Sequence, residues 1–103
     1  MSIKLTKSNF EEIVKNSKIP VFIDFYADWC GPCKMAAPIV EQMATELGDK
    51  AKICKVNVDL DSELAQKFGV VSIPTFVIIK DNKITSQITG LRSKQELNKL
   101  IAV

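Results

Sequence analysis

Apolar residues along this chain recur with two different periods. Ile3 and Leu5 alternate with Ser2, Lys4 and Thr6, the two-residue period of a brief first strand. Phe10, Ile13 and Val14 then follow at helical spacing. Ser8 with Glu11 three positions on reads as a capping box opening that helix. After Pro20, the run Val21-Phe22-Ile23-Asp24-Phe25-Tyr26-Ala27 is apolar at consecutive positions save one. That pattern predicts a central strand covered on both faces. A long helix is predicted from about Gly31 to Leu47, closed by Gly48, with Pro38 inside it as a kink.

The second half alternates in the same way. Ile53 to Val58 predicts a third strand, and Asp59 or Asp61 is placed to cap a short helix running to Phe68 and ended by Gly69. Pro74 opens the strand Thr75-Phe76-Val77-Ile78-Ile79. Asp81-Asn82-Lys83 marks a hairpin turn, and Ile84 to Thr89 is the return strand. Ser93 with Glu96 is a second capping box, followed by Leu97, Leu100 and Ile101 on one helical face. The predicted order is β-α-β-α-β-α-β-β-α. It implies an α/β fold: a mixed five-stranded sheet, parallel at first and antiparallel at the hairpin edge, with helices on both faces in three layers. No linker or repeat interrupts residues 1–103, which are read as a single domain.

Composition narrows the chemistry. With 47% hydrophobic and 25% charged residues and a net charge of +2, the chain has the make-up of an ordinary globular protein. No basic stripe suggests nucleic acid, and no apolar run reaches the roughly 18–20 residues of a membrane span. Met1-Ser2-Ile3-Lys4-Leu5-Thr6 has none of the apolar character of a signal peptide, so with Met1 as the start a cytoplasmic location is expected. There is no histidine. That absence excludes Ser-His-Asp triads, Cys-His pairs and His-ligated metals. Three cysteines are an odd number, unlike a secreted disulfide scaffold.

Two of the three lie in Trp29-Cys30-Gly31-Pro32-Cys33-Lys34, between a strand end and a helix start. Residues three apart on a helix share a face, and that separation falls within the range a disulfide spans. A thiolate at Cys30 meets the first-turn N–H groups and the positive end of the helix dipole. Cys33, one turn deeper, is expected to be more buried and less acidic. Pro32 fits the first turn, where an N–H has no partner to lose, and Gly31 leaves room for another chain. These positions assign Cys30 as nucleophile and Cys33 as resolving thiol in dithiol–disulfide exchange. The alternative is half of a metal site, although a closed zinc site wants four ligands and one such motif supplies two. Asp24 is the only charged residue in its strand, a costly position for a carboxylate. With no histidine present, it is the best candidate to accept the proton of Cys33. Cys54, between apolar Ile53 and Val56, reads as a small buried hydrophobe.

At these residues the sequence resembles the thioredoxin family. The likeness runs from Asp24-Phe25 through the Trp29–Lys34 motif to Pro38, and resumes at Lys55-Val56-Asn57-Val58-Asp59, Ile73-Pro74-Thr75 and Gly90. The resemblance implies a thioredoxin fold and protein-disulfide reductase activity toward disulfide-containing proteins. It implies a monomer that holds no cofactor and is re-reduced by thioredoxin reductase with electrons from NADPH. It assigns Asp24 the same proton-accepting role and places Lys55 beside it as a modulator. It also implies a cis peptide bond before Pro74, facing the disulfide and leaving the Ile73 backbone free to pair with substrate. Trp29, Ile73, Pro74, Thr75, Gly90 and Leu91, with Gly31 and Pro32, then form the expected substrate-docking patch. The chain departs from the family pattern at Tyr26, where Trp is usual, at the hairpin, which lacks Asn-Gly, and at Leu91 and Arg92 after Gly90. Three rival functions remain: a disulfide-forming oxidase or isomerase, a binding module without chemistry, and a metal or iron–sulfur carrier.

Overall fold

The computed structural model describes residues 1–102. Five strands form one sheet in the order β1-β3-β2-β4-β5: β1 Ile3–Lys4, β2 Val21–Tyr26, β3 Lys52–Asn57, β4 Thr75–Lys80 and β5 Lys83–Thr89. The helices are α1 Gly31–Leu47, α2 Ser62–Lys67 and α3 Lys94–Ile101. The predicted α/β architecture is therefore the observed one, with one difference in strand direction. β1 and β2 run parallel to β3, but β4 is already antiparallel to the central strand β2, before the hairpin to β5 begins. The period of a strand says which faces it buries, not which way it runs against a partner.

β2 is buried from Val21 to Phe25, as a strand with neighbours on both sides and both faces covered must be. Side chains alternate across the sheet. Val21, Ile23 and Phe25 join Cys54, Val56, Val77 and Ile79 on one face, under Phe10, Val14 and Leu64. Phe22, Ile53, Phe76 and Ile78 face the other way, against Val40 and Met43 of α1 and Leu97 and Ile101 of α3. By the same alternation Asp24 and Lys55, two residues beyond Phe22 and Ile53, fall on the face that α1 covers.

The first predicted helix is only a five-residue π-helical segment, Glu11–Lys15, entered from Phe10 without a side-chain cap. The Ser8–Glu11 capping box does not form. Asn9 Oδ1 accepts the Thr6 N–H at 2.8 Å and the Ser8 hydroxyl meets that of Thr6, so a local side-chain turn displaces the box. Neither predicted acidic cap of α2 serves it. Asp61 stands at the cap position but accepts from the Lys7 N–H, and Asp59 accepts from the indole of Trp29. The hairpin turn narrows to Asp81-Asn82, both in the left-handed region that a two-residue turn requires. Pro38 lies inside α1 and Gly48 closes it.

The second capping box is complete: Ser93 Oγ accepts the Glu96 N–H and Glu96 reaches back to the Ser93 N–H. Ser93→Ala is expected to cost about 1 kcal/mol, read in urea as a lower midpoint at unchanged slope.

Candidate active site

The turn Ala27–Trp29 leads from the end of β2 to the start of α1 and is closed by the Cys30 N–H on the Ala27 carbonyl at 3.2 Å. Cys30 is the N-cap residue of α1, with extended backbone. Pro32 occupies the first turn, where no N–H is needed. One helical turn on, Cys33 donates its backbone N–H to Cys30 Sγ at 3.2 Å. A sulfur at an N-cap thus receives an amide dipole together with the positive helix end, both of which favour a thiolate there. The two cysteines are joined as a disulfide, with their Cα atoms 5.2 Å apart.

Cys33 was expected to be the more buried of the pair. In the disulfide the two are equally covered, at 4% and 3% exposure, because Ala27, Tyr26, Val58 and Ile73 pack around both. What differs is their surroundings. Cys30 Sγ lies 3.9 Å from the Ile73 carbonyl oxygen, at the rim of the site. Cys33 instead borders a cleft of ≈ 270 Å³ that also contains Asp24, Tyr26, Val40, Glu41 and Lys55.

Asp24 is 4% exposed, in no ion pair among the described residues, and its Oδ1 has no hydrogen-bond partner there. It lies in register between Lys55 on β3 and Phe76 on β4. Burial pushes its carboxyl up to about 7, against the pull of the Lys55 charge and with a further push from Glu41. The acid can therefore take or give a proton at neutral pH.

Lys55 lies opposite Asp24 in the sheet, but its ammonium is paired with Glu41, Nζ to Oε2 at 3.9 Å. Sequence reasoning missed Glu41. The signal was present, since Cys33, Ala37 and Glu41 follow each other four apart and share one face of α1. Glu41 also accepts the Ser2 N–H at 2.9 Å and the Ser2 hydroxyl. Its own burial works to raise its carboxyl, but the Ser2 contacts, Lys55 and the N-terminal ammonium outweigh that and hold it below the ordinary value.

The remaining predicted residues lie around the disulfide, some at its rim and some beneath it. The Ile73–Pro74 peptide bond is cis. The Pro74 carbonyl accepts the Gly90 N–H at 2.8 Å, which ties the Gly90-Leu91 segment to the Ile73-Pro74 turn. Gly90 has φ +101°, a conformation side chains oppose, so its smallness is needed there. Thr75 is buried and bonds to the Ser72 carbonyl and the Thr89 hydroxyl, so it braces the turn rather than facing outward. Trp29 is 69% exposed, its ring oriented by an indole N–H bond to Asp59 at 2.9 Å. Leu91 is exposed as well. Gly31 begins α1 with open space where a Cβ would stand. Tyr26 packs against the cysteine pair, so the departure from Trp lies in the wall of the cleft. Cys54 is fully buried in the core on the sheet face away from α1, and burial pushes its thiol up to about 12, so it stays an inert thiol.

Among the described residues no group of three or more Cys, Asp and Glu side chains is disposed to hold a metal ion, and the two thiols that would begin such a site are bonded to each other. No helix among them is long and apolar enough to cross a membrane.

A disulfide closed over one helical turn at a helix N-cap, on a mixed sheet with helices on both faces, is the arrangement of a protein-disulfide oxidoreductase. Comparison with known proteins agrees. The thioredoxin family model matches residues 1–103. The chain is 42% identical to a thioredoxin of Bacillus subtilis over 96% of its own length and 93% of that protein. It is 41% identical to one of Haemophilus influenzae, over 96% and 92%. A thioredoxin of Mycobacterium tuberculosis is 44% identical over 93% of this chain and 83% of its own. The chain belongs to the thioredoxin family, and its Cys30–Cys33 pair carries out dithiol–disulfide exchange.

Proposed function

We propose that this chain is a general protein-disulfide reductase of the cytoplasm, working as a monomeric single domain and re-reduced by a thioredoxin reductase that draws on NADPH. The observation that carries this reading is the Cys30–Cys33 disulfide at the N-cap of α1, beside a cleft whose buried acid titrates near neutrality.

In the reduced protein, the Cys30 thiolate attacks one sulfur of a substrate disulfide. The substrate S–S bond breaks, a mixed disulfide forms, and the departing substrate thiolate takes a proton from water. Asp24, as carboxylate, accepts the proton of Cys33. The Cys33 thiolate then attacks Cys30 Sγ, the mixed disulfide breaks, and the second substrate thiolate leaves and takes a proton from water. Two electrons have passed to substrate, its two protons have come from solvent, Asp24 returns the Cys33 proton to solvent, and the protein holds its own disulfide. Lys55 moderates the charge of Asp24. Trp29, Ile73, Pro74, Gly90 and Leu91 form the docking rim, braced from beneath by Thr75, with the exposed apolar faces of Trp29 and Leu91 taking the substrate chain. Gly31 and Pro32 keep the approach to Cys30 open.

Reduction of insulin disulfides, followed as NADPH oxidation with thioredoxin reductase present, tests the reading. Catalytic turnover that requires both the reductase and Cys30 is expected. A protein that oxidises dithiols but is not turned over by the reductase, with a reduction potential in the range of secretory-pathway oxidases, would instead be the disulfide-forming rival.

A further inference from the structure

Asp24 has one basic neighbour, and that neighbour is engaged elsewhere. Lys55 stands opposite Asp24 in the register of β2 and β3, yet its ammonium is ion-paired with Glu41, and Asp24 Oδ1 is left unpartnered. Glu41 is itself held from outside the cleft by the backbone N–H and hydroxyl of Ser2, 39 residues away. Two bonds from the N-terminal segment therefore hold a carboxylate on α1, and that carboxylate pairs with the lysine.

We propose that Glu41, anchored by Ser2, is a positioning residue of the exchange reaction: it holds the Lys55 ammonium away from the Asp24 carboxyl. The inference rests on the reading of Asp24 as proton acceptor for Cys33. The ionisable groups facing Asp24 are Lys55 from β3, Glu41 and Cys33 from α1, and Tyr26 and Asp28 from the end of β2 and the turn after it. Of these only Lys55 is positive. Where its charge sits thus decides how the carboxylate is balanced, since an opposite charge a few ångströms away favours the ionised form of an acid. The direct push of the Glu41 charge on Asp24 acts in the same sense. With Glu41 made neutral, Lys55 loses its other partner and turns to Asp24.

Glu41 is on the surface side of the cleft, and Glu41→Gln keeps its size, an amide oxygen to accept the Ser2 N–H and an NH2 that can donate to the Ser2 hydroxyl, so the fold is expected to persist. The titration of the Asp24 carboxyl, followed by carbon NMR in the oxidised protein, is the primary measurement. Glu41→Gln is expected to lower the midpoint by roughly one pH unit. In a Lys55→Met background the same substitution is expected to move it by less than half as much, because the lysine through which Glu41 acts is gone. An unmoved midpoint in Glu41→Gln overturns the inference, and so does an equal displacement in both backgrounds, which would leave only direct repulsion. The pH profile of insulin reduction, measured on the same variants, is expected to shift downward with the midpoint. A midpoint that falls while the rate profile stays in place upholds the control of Asp24 by Glu41 and overturns the use of Asp24 in catalysis.

Discussion

In Cys33→Ser the reaction is expected to stop half-way: incubated with a disulfide-containing protein, the variant should accumulate a mixed disulfide on Cys30, with turnover lower by roughly 10³-fold or more. Cys30→Ser is expected to lose as much turnover but to trap nothing. The asymmetry follows from the first turn of α1. Cys30 Sγ sits at the N-cap, accepts the Cys33 amide and lies at the rim beside the Ile73 carbonyl, where an incoming disulfide arrives. Cys33, third residue of α1, faces the cleft towards Asp24 and meets substrate only after Cys30 has bound it. Non-reducing electrophoresis and mass spectrometry of each variant with an oxidised substrate check the result. A covalent adduct on Cys30→Ser and none on Cys33→Ser would exchange the two roles.

Asp24→Asn separates stability from activity. The folded-state pKa of Asp24 is raised from 3.8 to about 7, so between those values the native protein keeps a proton that the unfolded chain has released. The native state then binds more protons than the unfolded one, and stability falls as pH rises through that window. Below about pH 4 both states are protonated and nothing is lost; above about pH 7 both are ionised and the full penalty stands. Three pKa units correspond to about 4 kcal/mol, and access of water through the cleft reduces that to about 2–4 kcal/mol. Asparagine has the same shape and no charge. The oxidised variant is therefore expected to exceed the parent in stability by that amount at pH 8, to match it near pH 4, and to lose the slope between. Urea denaturation at several pH values measures this. Activity moves the other way. Without an acceptor for the Cys33 proton, resolution of the mixed disulfide is expected to slow by about 10²-fold at pH 7, the low end for general acid–base catalysis, and the rate profile loses its inflection near pH 7. A stabilised variant with an unchanged rate profile would remove Asp24 from the chemistry.

Much of this site was legible in the chain because its signals are local. Cys30 and Cys33 are one helical turn apart, and the strand-to-helix junction that gives them different environments is written in Phe25 to Pro38. Asp24 was visible as a lone charge in an apolar strand. The α3 cap was readable because Ser93 and Glu96 need only each other. Where a polar residue had other partners, the local reading failed. Asn9 took over from Ser8, Trp29 claimed Asp59, and Lys7 claimed Asp61.

The amino-acid sequence by itself determined the pair of sulfurs, the acid in the central strand, the order of strands and helices, and the faces they bury. Each of these depends on periods of two or about four residues and on chemistry within one turn. Only the folded chain decided that β4 runs against β2, that the Ile73 carbonyl comes to lie beside Cys30 from 43 residues away, and that Lys55 pairs with Glu41 rather than Asp24. The physical reason is that a buried charge takes its energy from whatever packing brings within a few ångströms of it, and such neighbours are set by how sheet and helix stack, not by their spacing along the chain.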